Sequence, residues 1–181
     1  MLRLLPLCCL LPMLFTTAVF AEDNLPLFGP DGYRQRLYRS PTPASVEGAQ
    51  TVDTAELQAL LETRPRPALI DVYRRQHLFG RFVADEAHHN LPGSLWLANT
   101  GDGTLVAPWS AYFTAQLQRA SRGRQDWPLV FYCRSDCWLS WNATRRARAL
   151  GYTRLYWYRE GIDGWQQAGL PLEPAEPVAL P

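Results

Sequence analysis

The sequence predicts an α/β domain with a mainly parallel sheet flanked by helices. Three observations lead there. Short apolar runs at 68–73, 129–132 and 154–158 are rich in β-branched and aromatic residues, as strands buried on both faces are. Stretches with helical spacing of apolar residues lie between those runs, the alternation that builds a parallel sheet. The 181 residues, 47% of them hydrophobic, suffice for one domain with a real core, and no internal repeat divides them.

The chain opens with Met-Leu-Arg3 and an apolar run from Leu4 to Phe20, closing on Ala18-Val19-Phe20-Ala21. That pattern reads as a secretory signal peptide over residues 1–21. Pro6 and Pro12 within about 17 apolar residues make a poor membrane span, so no stable membrane anchor is expected. Cleavage after Ala21 would remove Cys8 and Cys9, leaving Cys133 and Cys137 as the only cysteines. In an oxidising compartment such a pair is either a local disulfide or a set of reactive thiols.

Every basic residue is an arginine. Without Arg3 the 17 remaining balance 17 acidic residues, so neither a nucleic-acid footprint nor an anionic-membrane patch is expected. The absence of lysine excludes lysine Schiff-base chemistry and a Walker-type phosphate loop.

Residues 22–48, rich in Pro and Gly, read as an extended arm lying on the domain. The domain proper is placed at 49–171. Thr51-Val52 is a short strand candidate. Asp53 with Glu56 has capping-box spacing before a helix carrying Leu57, Leu60 and Leu61. The run Ala68–Tyr73 is the next strand, and its one charge, Asp71, sits near its carboxyl end. The carboxyl ends of parallel strands form the functional rim, so Asp71 is a candidate catalytic group; a carboxylate bonding the neighbouring loop is the alternative.

From Arg74 to Asn90 the chain is polar and irregular. His88-His89 and the two cysteines fit no standard zinc spacing, so no metal is expected. A turn at 91–94 leads to a third strand, Leu95–Leu97. After a turn at 100–103, Trp109, Tyr112, Phe113 and Leu117 mark a helix with an aromatic core face. The strand Leu129–Tyr132 ends at Cys133. Arg134-Ser135-Asp136 follow, and then a helix runs to Ala149 with Gly151 as its left-handed cap. Exposed amides and the helix dipole favour negative charge at such a turn, so the Cys133 thiol is expected to be acidic. A strand at 154–158, a short helix from Gly161 and a Pro-rich tail at 172–181 without structure of its own complete the chain.

This order of parts resembles the rhodanese domain. Ala68-Leu-Ile-Asp71-Val-Tyr73 is similar to that family's strand ending in Asp-Val-Arg, with Tyr73 in place of the arginine. His89-Asn-Leu-Pro92-Gly93-Ser94 resembles its His-Ile-Pro-Gly-Ala turn with one residue inserted. Tyr132-Cys133-Arg134-Ser135 resembles the opening of its active loop. Leu150-Gly151-Tyr152 and Gly161-Ile162-Asp163-Gly164-Trp165 match its closing signatures. More narrowly, Cys133-x3-Cys137-Trp138, the signal peptide and the Tyr38-Arg-Ser-Pro-Thr-Pro43 arm resemble the PQQ-dependent catabolism-associated CXXCW-motif proteins.

The resemblance implies a periplasmic protein whose Cys133 carries sulfane sulfur as a persulfide, exchanging it with a thiol or sulfur donor and acceptor. The amides of Arg134, Ser135, Asp136, Cys137 and Trp138 would cradle the anion. It further implies company with a quinoprotein dehydrogenase or c-type cytochrome; PQQ enters only by that association, and no bound cofactor is expected. Two departures stand out. Trp138 occupies the place where rhodaneses often carry a cation or a small residue, and Leu139 stands where a cysteine phosphatase of this topology needs arginine. Cys137 is an addition. On a regular helix Cβ atoms four apart are about 5–6 Å away from each other, too far for a disulfide, whereas a curled loop brings them closer. Two roles follow: a resolving thiol for Cys133, or half of a disulfide-held docking surface, with Trp138 and Trp141, on a catalytically silent module.

Overall fold

The computed structural model describes residues 25–83 and 86–180. The expected signal peptide at 1–21 and the arm's first residues, 22–24, lie outside the described residues. In chain order the elements are β1 (Gln50–Val52), α1 (Thr54–Leu61), β2 (Ala68–Asp71), β3 (His77–Leu78), β4 (Arg81–Phe82), β5 (His88–Asn90), β6 (Leu95–Trp96), α2 (Ala107–Ala120), β7 (Leu129–Tyr132), α3 (Trp138–Ala149), β8 (Leu155–Tyr158), α4 (Gly161–Gln167) and β9 (Glu173–Ala175). Five strands form one sheet in the order β1-β8-β7-β2-β6, every adjacent pair parallel. The α/β architecture expected from the alternation is the one observed.

The register explains how the sheet fills both layers. Leu69 stands beside Val130 and Ile70 beside Phe131, so neighbours in the sheet share a face. Ile70, Phe131 and Leu155 pack under α2 and α3 against Tyr112, Phe113, Leu117, Ala143 and Ala147. Leu69, Val130 and Tyr158 pack under α1 and α4 against Leu57, Ile162 and Trp165. Burying one such side chain stabilises the fold by roughly 1.5–3 kcal/mol. The capping box forms as the spacing predicts: Glu56 N–H donates to Asp53 Oδ1 at 2.8 Å, and Asp53 N–H donates to Glu56 Oε2 at 2.9 Å. Among the described residues no helix is long and apolar enough to cross a membrane.

Two stretches differ from expectation. The region 74–90 is not irregular throughout: β3 and β4 make an antiparallel hairpin, and β5 pairs antiparallel with β9. The tail is therefore not structureless. Beyond β9, Val178 N–H donates to the Trp96 carbonyl at 2.9 Å, and Tyr112 Oη donates to the Val178 carbonyl at 2.7 Å. Strands of two or three residues are too short to show a period, and β5 and β9 lie far apart in sequence, so neither signal could be read locally.

β2 and β7 are central neighbours and end together, Asp71 beside Tyr132. Cys133 is the first residue past that edge, and α3 leaves from the same rim. This is the carboxyl end of a parallel sheet, where α/β proteins place their sites.

Candidate active site

Cys133 follows β7 directly, and Cys137 is the N-cap of α3, with extended backbone at φ −118° and ψ 112°. Between them Asp136 takes a left-handed φ of 48°, which delays the helix and curls the loop. The curl brings the two thiols close enough to act on each other. Both are free, and both are buried, 0% and 2% exposed.

The expectation of an acidic Cys133 needs correction. Burial pushes its thiol well above the ordinary cysteine range, the hydrogen bond to Cys137, the charge there and the Asp71 carboxylate push the same way, and the Arg134 amide opposes them. The acidic thiol is Cys137. The hydrogen bond from Cys133 lowers it most, outweighing burial; the amides of Leu139 and Arg134 and the charge of Arg39 add to that. The helix start contributes the Leu139 amide. Its first residue is Trp138, so the N-terminal amides reach Cys137 and not a sulfur four residues earlier. Of the two, Cys137 is the sulfur on which negative charge is favoured.

The other predicted loop residues face elsewhere. The Arg134 guanidinium turns to Asp163, donating from Nε at 2.9 Å and Nη2 at 2.6 Å. Ser135 gives both its N–H and its Oγ–H to the other oxygen of Asp163, each at 2.9 Å. Asp136 accepts from Thr42 and Arg159, not from the thiols. Trp138 donates its N–H to the Tyr38 carbonyl at 2.8 Å and its indole N–H to Ser40 Oγ at 3.0 Å. Of the five amides expected to cradle an anion, those of Ser135 and Trp138 are therefore already engaged, and that of Arg134 points at the sulfurs.

Asp71 is fully buried at the end of β2. It accepts from Tyr73 N–H at 2.8 Å and meets His88 Nε2 at 2.7 Å. Burial raises its pKa, opposed by His88 and the Tyr73 amide. The His88 ring lies parallel to Tyr73 at 5.1 Å and against Trp96 at 4.1 Å. With Tyr73, His89, Arg134 and Ile162 it lines a cleft of about 260 Å³ beside the loop. The loop-bonding alternative for Asp71 is thus realised through Tyr73, and its charge still acts on Cys133.

Three contributors were not picked out as site residues. Asp163 anchors the loop's Arg134 and Ser135; its signal was the Gly161-Ile162-Asp163 signature. Gly161 takes a φ of 58°, and a Cβ there would collide with the Cys133 carbonyl, which accepts from Ile162 N–H at 2.9 Å. The arm is the third. Ser40 N–H donates to the Asp136 carbonyl at 3.1 Å, so Arg39 stands opposite Cys137 in an antiparallel bridge. Asn142 holds the arm from below, accepting from Arg34 N–H and donating to its carbonyl, both at 2.9 Å. The Arg34 guanidinium lies 4.8 Å from the Trp138 ring centroid.

Residues 53–168 match the model of the rhodanese-like domain family. No curated protein matches the chain. Among solved structures it is similar to wild-type EanB, at 19% identity and a TM-score of 0.50, over 70% of this chain and 32% of that one. It is also similar to the polysulfide-sulfur transferase homodimer from Wolinella succinogenes, at 17% identity and a TM-score of 0.46 over 69% and 78% of the two chains. A third likeness is to the human single-domain sulfurtransferase TSTD1, at 28% identity and a TM-score of 0.43 over 65% and 95%. The chain thus spans about a third of EanB, and that likeness supports the fold.

Proposed function

The chain belongs to the family of rhodanese-like domains, and from that premise we propose that it carries sulfane sulfur on Cys133, with Cys137 as proton acceptor and resolving thiol. The observation behind this reading is the pair of buried free thiols on one curled loop at the carboxyl edge of the sheet. The Cys137 thiolate takes the Cys133 proton. The Cys133 thiolate then attacks the sulfane sulfur of a donor such as thiosulfate; the donor's S–S bond breaks, and sulfite leaves with the electron pair. An acceptor thiolate removes the outer sulfur and returns Cys133 to thiolate. With no acceptor, Cys137 attacks the Cys133 sulfur, expels hydrosulfide and closes a disulfide.

The setting proposed is the periplasm, on the strength of the signal-peptide pattern, and the partners are a quinoprotein dehydrogenase or a c-type cytochrome, on the strength of the CXXCW resemblance. PQQ would belong to that partner.

Intact mass of protein isolated from the periplasm, before and after reduction, tests the sulfur reading. Loss of about 32 Da on reduction marks a persulfide and gain of about 2 Da a disulfide. Cys133→Ala is expected to abolish thiocyanate formation from thiosulfate and cyanide, whereas Cys137→Ala retains a persulfide after thiosulfate treatment. A free-thiol mass in every preparation, with no sulfur uptake from thiosulfate or polysulfide, overturns it. One observation favours a second reading, a silent docking module: the thiols are closed to solvent. Partner capture that depends on Trp138 and survives Cys133→Ala would support that one instead.

A further inference from the structure

The thiols are closed off by the chain itself. Tyr38–Ser40 lie along the loop edge, with the Tyr38 carbonyl accepting from Trp138 N–H and Ser40 N–H donating to the Asp136 carbonyl. Two backbone bonds flanking one residue pair are the recognition pattern of an added β-strand. Residues directly opposite in such a pair point to the same side with Cβ atoms about 4.5–5.5 Å apart. Residue 39 therefore faces the Cys137 thiol, and its guanidinium reaches Asp163 at 3.7 Å.

The fit carries strain on both strands. Leu37 has a φ of 49° and Asp136 a φ of 48°. Aspartate tolerates left-handed backbone; leucine does not. Leu37 is also exposed, so its side chain gains little from the position. Upstream, Asn142 grips Arg34. Downstream, Thr42 is held by Arg159, and Val46 is buried. For the edge to open, residues 37–41 must lift between these anchors and Tyr38 must release its own hold, its Oη accepting from Gly103 N–H at 2.9 Å and its ring lying 4.4 Å from the Arg74 guanidinium.

We propose that Tyr38–Ser40 is a strap occupying the docking edge of an extended, cysteine-bearing segment of a partner polypeptide, whose cysteine takes the place of Arg39. The inference rests on the sulfur-carrying reading and names its acceptor class: a protein thiol presented on a strand, in preference to a small free thiol. Displacing the strap frees the Asp136 carbonyl and the Trp138 amide together. A replacing strand would satisfy both and set its thiol opposite Cys137. The incoming thiolate then takes the outer sulfur of the Cys133 persulfide, the S–S bond breaks, and the electron pair returns to Cys133. The partner leaves as a persulfide, and no outside oxidant is required.

Two variants of the mature chain should move the gate in opposite directions. Leu37→Gly relieves the left-handed strain and should slow alkylation of the thiol pair by iodoacetamide by about tenfold. Ser40→Pro removes the Ser40 N–H bond and the indole's acceptor and should speed it by about tenfold. Urea midpoints report whether each variant remains folded. Equal rates in wild type and both variants, or wild-type rates matching unfolded chain, overturn the strap.

The partner class is tested with a synthetic peptide of residues 36–43 carrying cysteine in place of Arg39, activated as its thionitrobenzoate disulfide. Cys137 attack releases the coloured thiolate. The peptide should react faster than activated free cysteine, and Ser40→Pro should widen the difference. Equal rates for both reagents refute a strand-shaped partner. If both tests succeed and the wild-type protein takes no sulfur from thiosulfate or polysulfide, the sulfur-carrying reading is what fails, and the docking edge stands.

Discussion

Gly161→Ala should damage the protein twice, and the two effects can be separated. The residue sits at φ 58°, where a non-glycine side chain costs roughly 1–2 kcal/mol. A Cβ would also strike the Cys133 carbonyl and displace the acceptor of the Ile162 N–H bond, adding about 1 kcal/mol for the lost bond. The sum is about 2–3 kcal/mol. Gly93 is the matched control. Its φ is 78°, and nothing lies within 4 Å of a Cβ built there, so Gly93→Ala should cost the backbone part alone. With a urea slope of about 2 kcal/mol per molar, Gly161→Ala should lower the midpoint by about 1–1.5 M and Gly93→Ala by about 0.5–1 M, the slope unchanged. Gly161→Ala should also change the alkylation rate of the thiol pair, because the displaced carbonyl belongs to Cys133; Gly93→Ala should leave it alone. Equal midpoint losses and an unchanged thiol rate would refute the claim that α4 positions the loop through this contact.

Two further outcomes follow from the site's electrostatics. Burial raises the Asp163 carboxyl, but its bonds from Arg134 and Ser135 outweigh that and hold it below the ordinary range. A depressed folded pKa gives stability that is full above the unfolded value near 3.8 and lost as pH falls through the folded one. Asp163→Asn should therefore be less stable than wild type at pH 7 and lose less on going to pH 3; parallel losses in urea midpoint would refute the pairing. The second outcome concerns Cys137, whose acidity comes first from the Cys133 thiol. Cys133→Ala should move the alkylation profile of Cys137 to higher pH, whereas Cys133→Ser, which keeps a donor, should move it less. An unshifted profile in Cys133→Ala would place the cause in the amides instead.

The central sheet was legible because parallel strands covered on both faces are written as unbroken apolar runs, and Leu129–Tyr132 is such a run, buried at every residue. The helix caps were legible for a similar local reason, as Asp53 and Gly151 show. The acidic member of the thiol pair was not. The sequence places a loop at 134–136 before the helix but does not show that Asp136 turns left-handed and leaves Cys137 as the cap. The arm's role was hidden more deeply. Its grip on the loop is made by the Tyr38 carbonyl and the Ser40 amide, which every residue type carries, to partners nearly 100 positions away. Asp163 was visible as part of a signature, yet its partner could be assigned only once α4 was seen beside the loop.

The loop offers few inward amides and two sulfurs to share them. The Ser135 amide is committed to Asp163 and the Trp138 amide to the arm; the Leu139 amide serves Cys137, and the Arg134 amide is shared by both sulfurs. On the sulfur-carrying reading, a persulfide anion on Cys133 draws on the shared Arg134 amide. Loading Cys133 then competes with Cys137 for the Arg134 amide, while the Leu139 amide stays with Cys137. That sulfur has little room to go elsewhere: Cys137 is fixed by the bridge to Arg39 on one side and by the start of α3 on the other. It remains beside the new S–S bond as the thiol that took the Cys133 proton, and it attacks once that proton is lost. A loop built this way suits a carrier whose sulfur is passed on at once or expelled, and the strap determines which of those happens by admitting an acceptor or keeping it out.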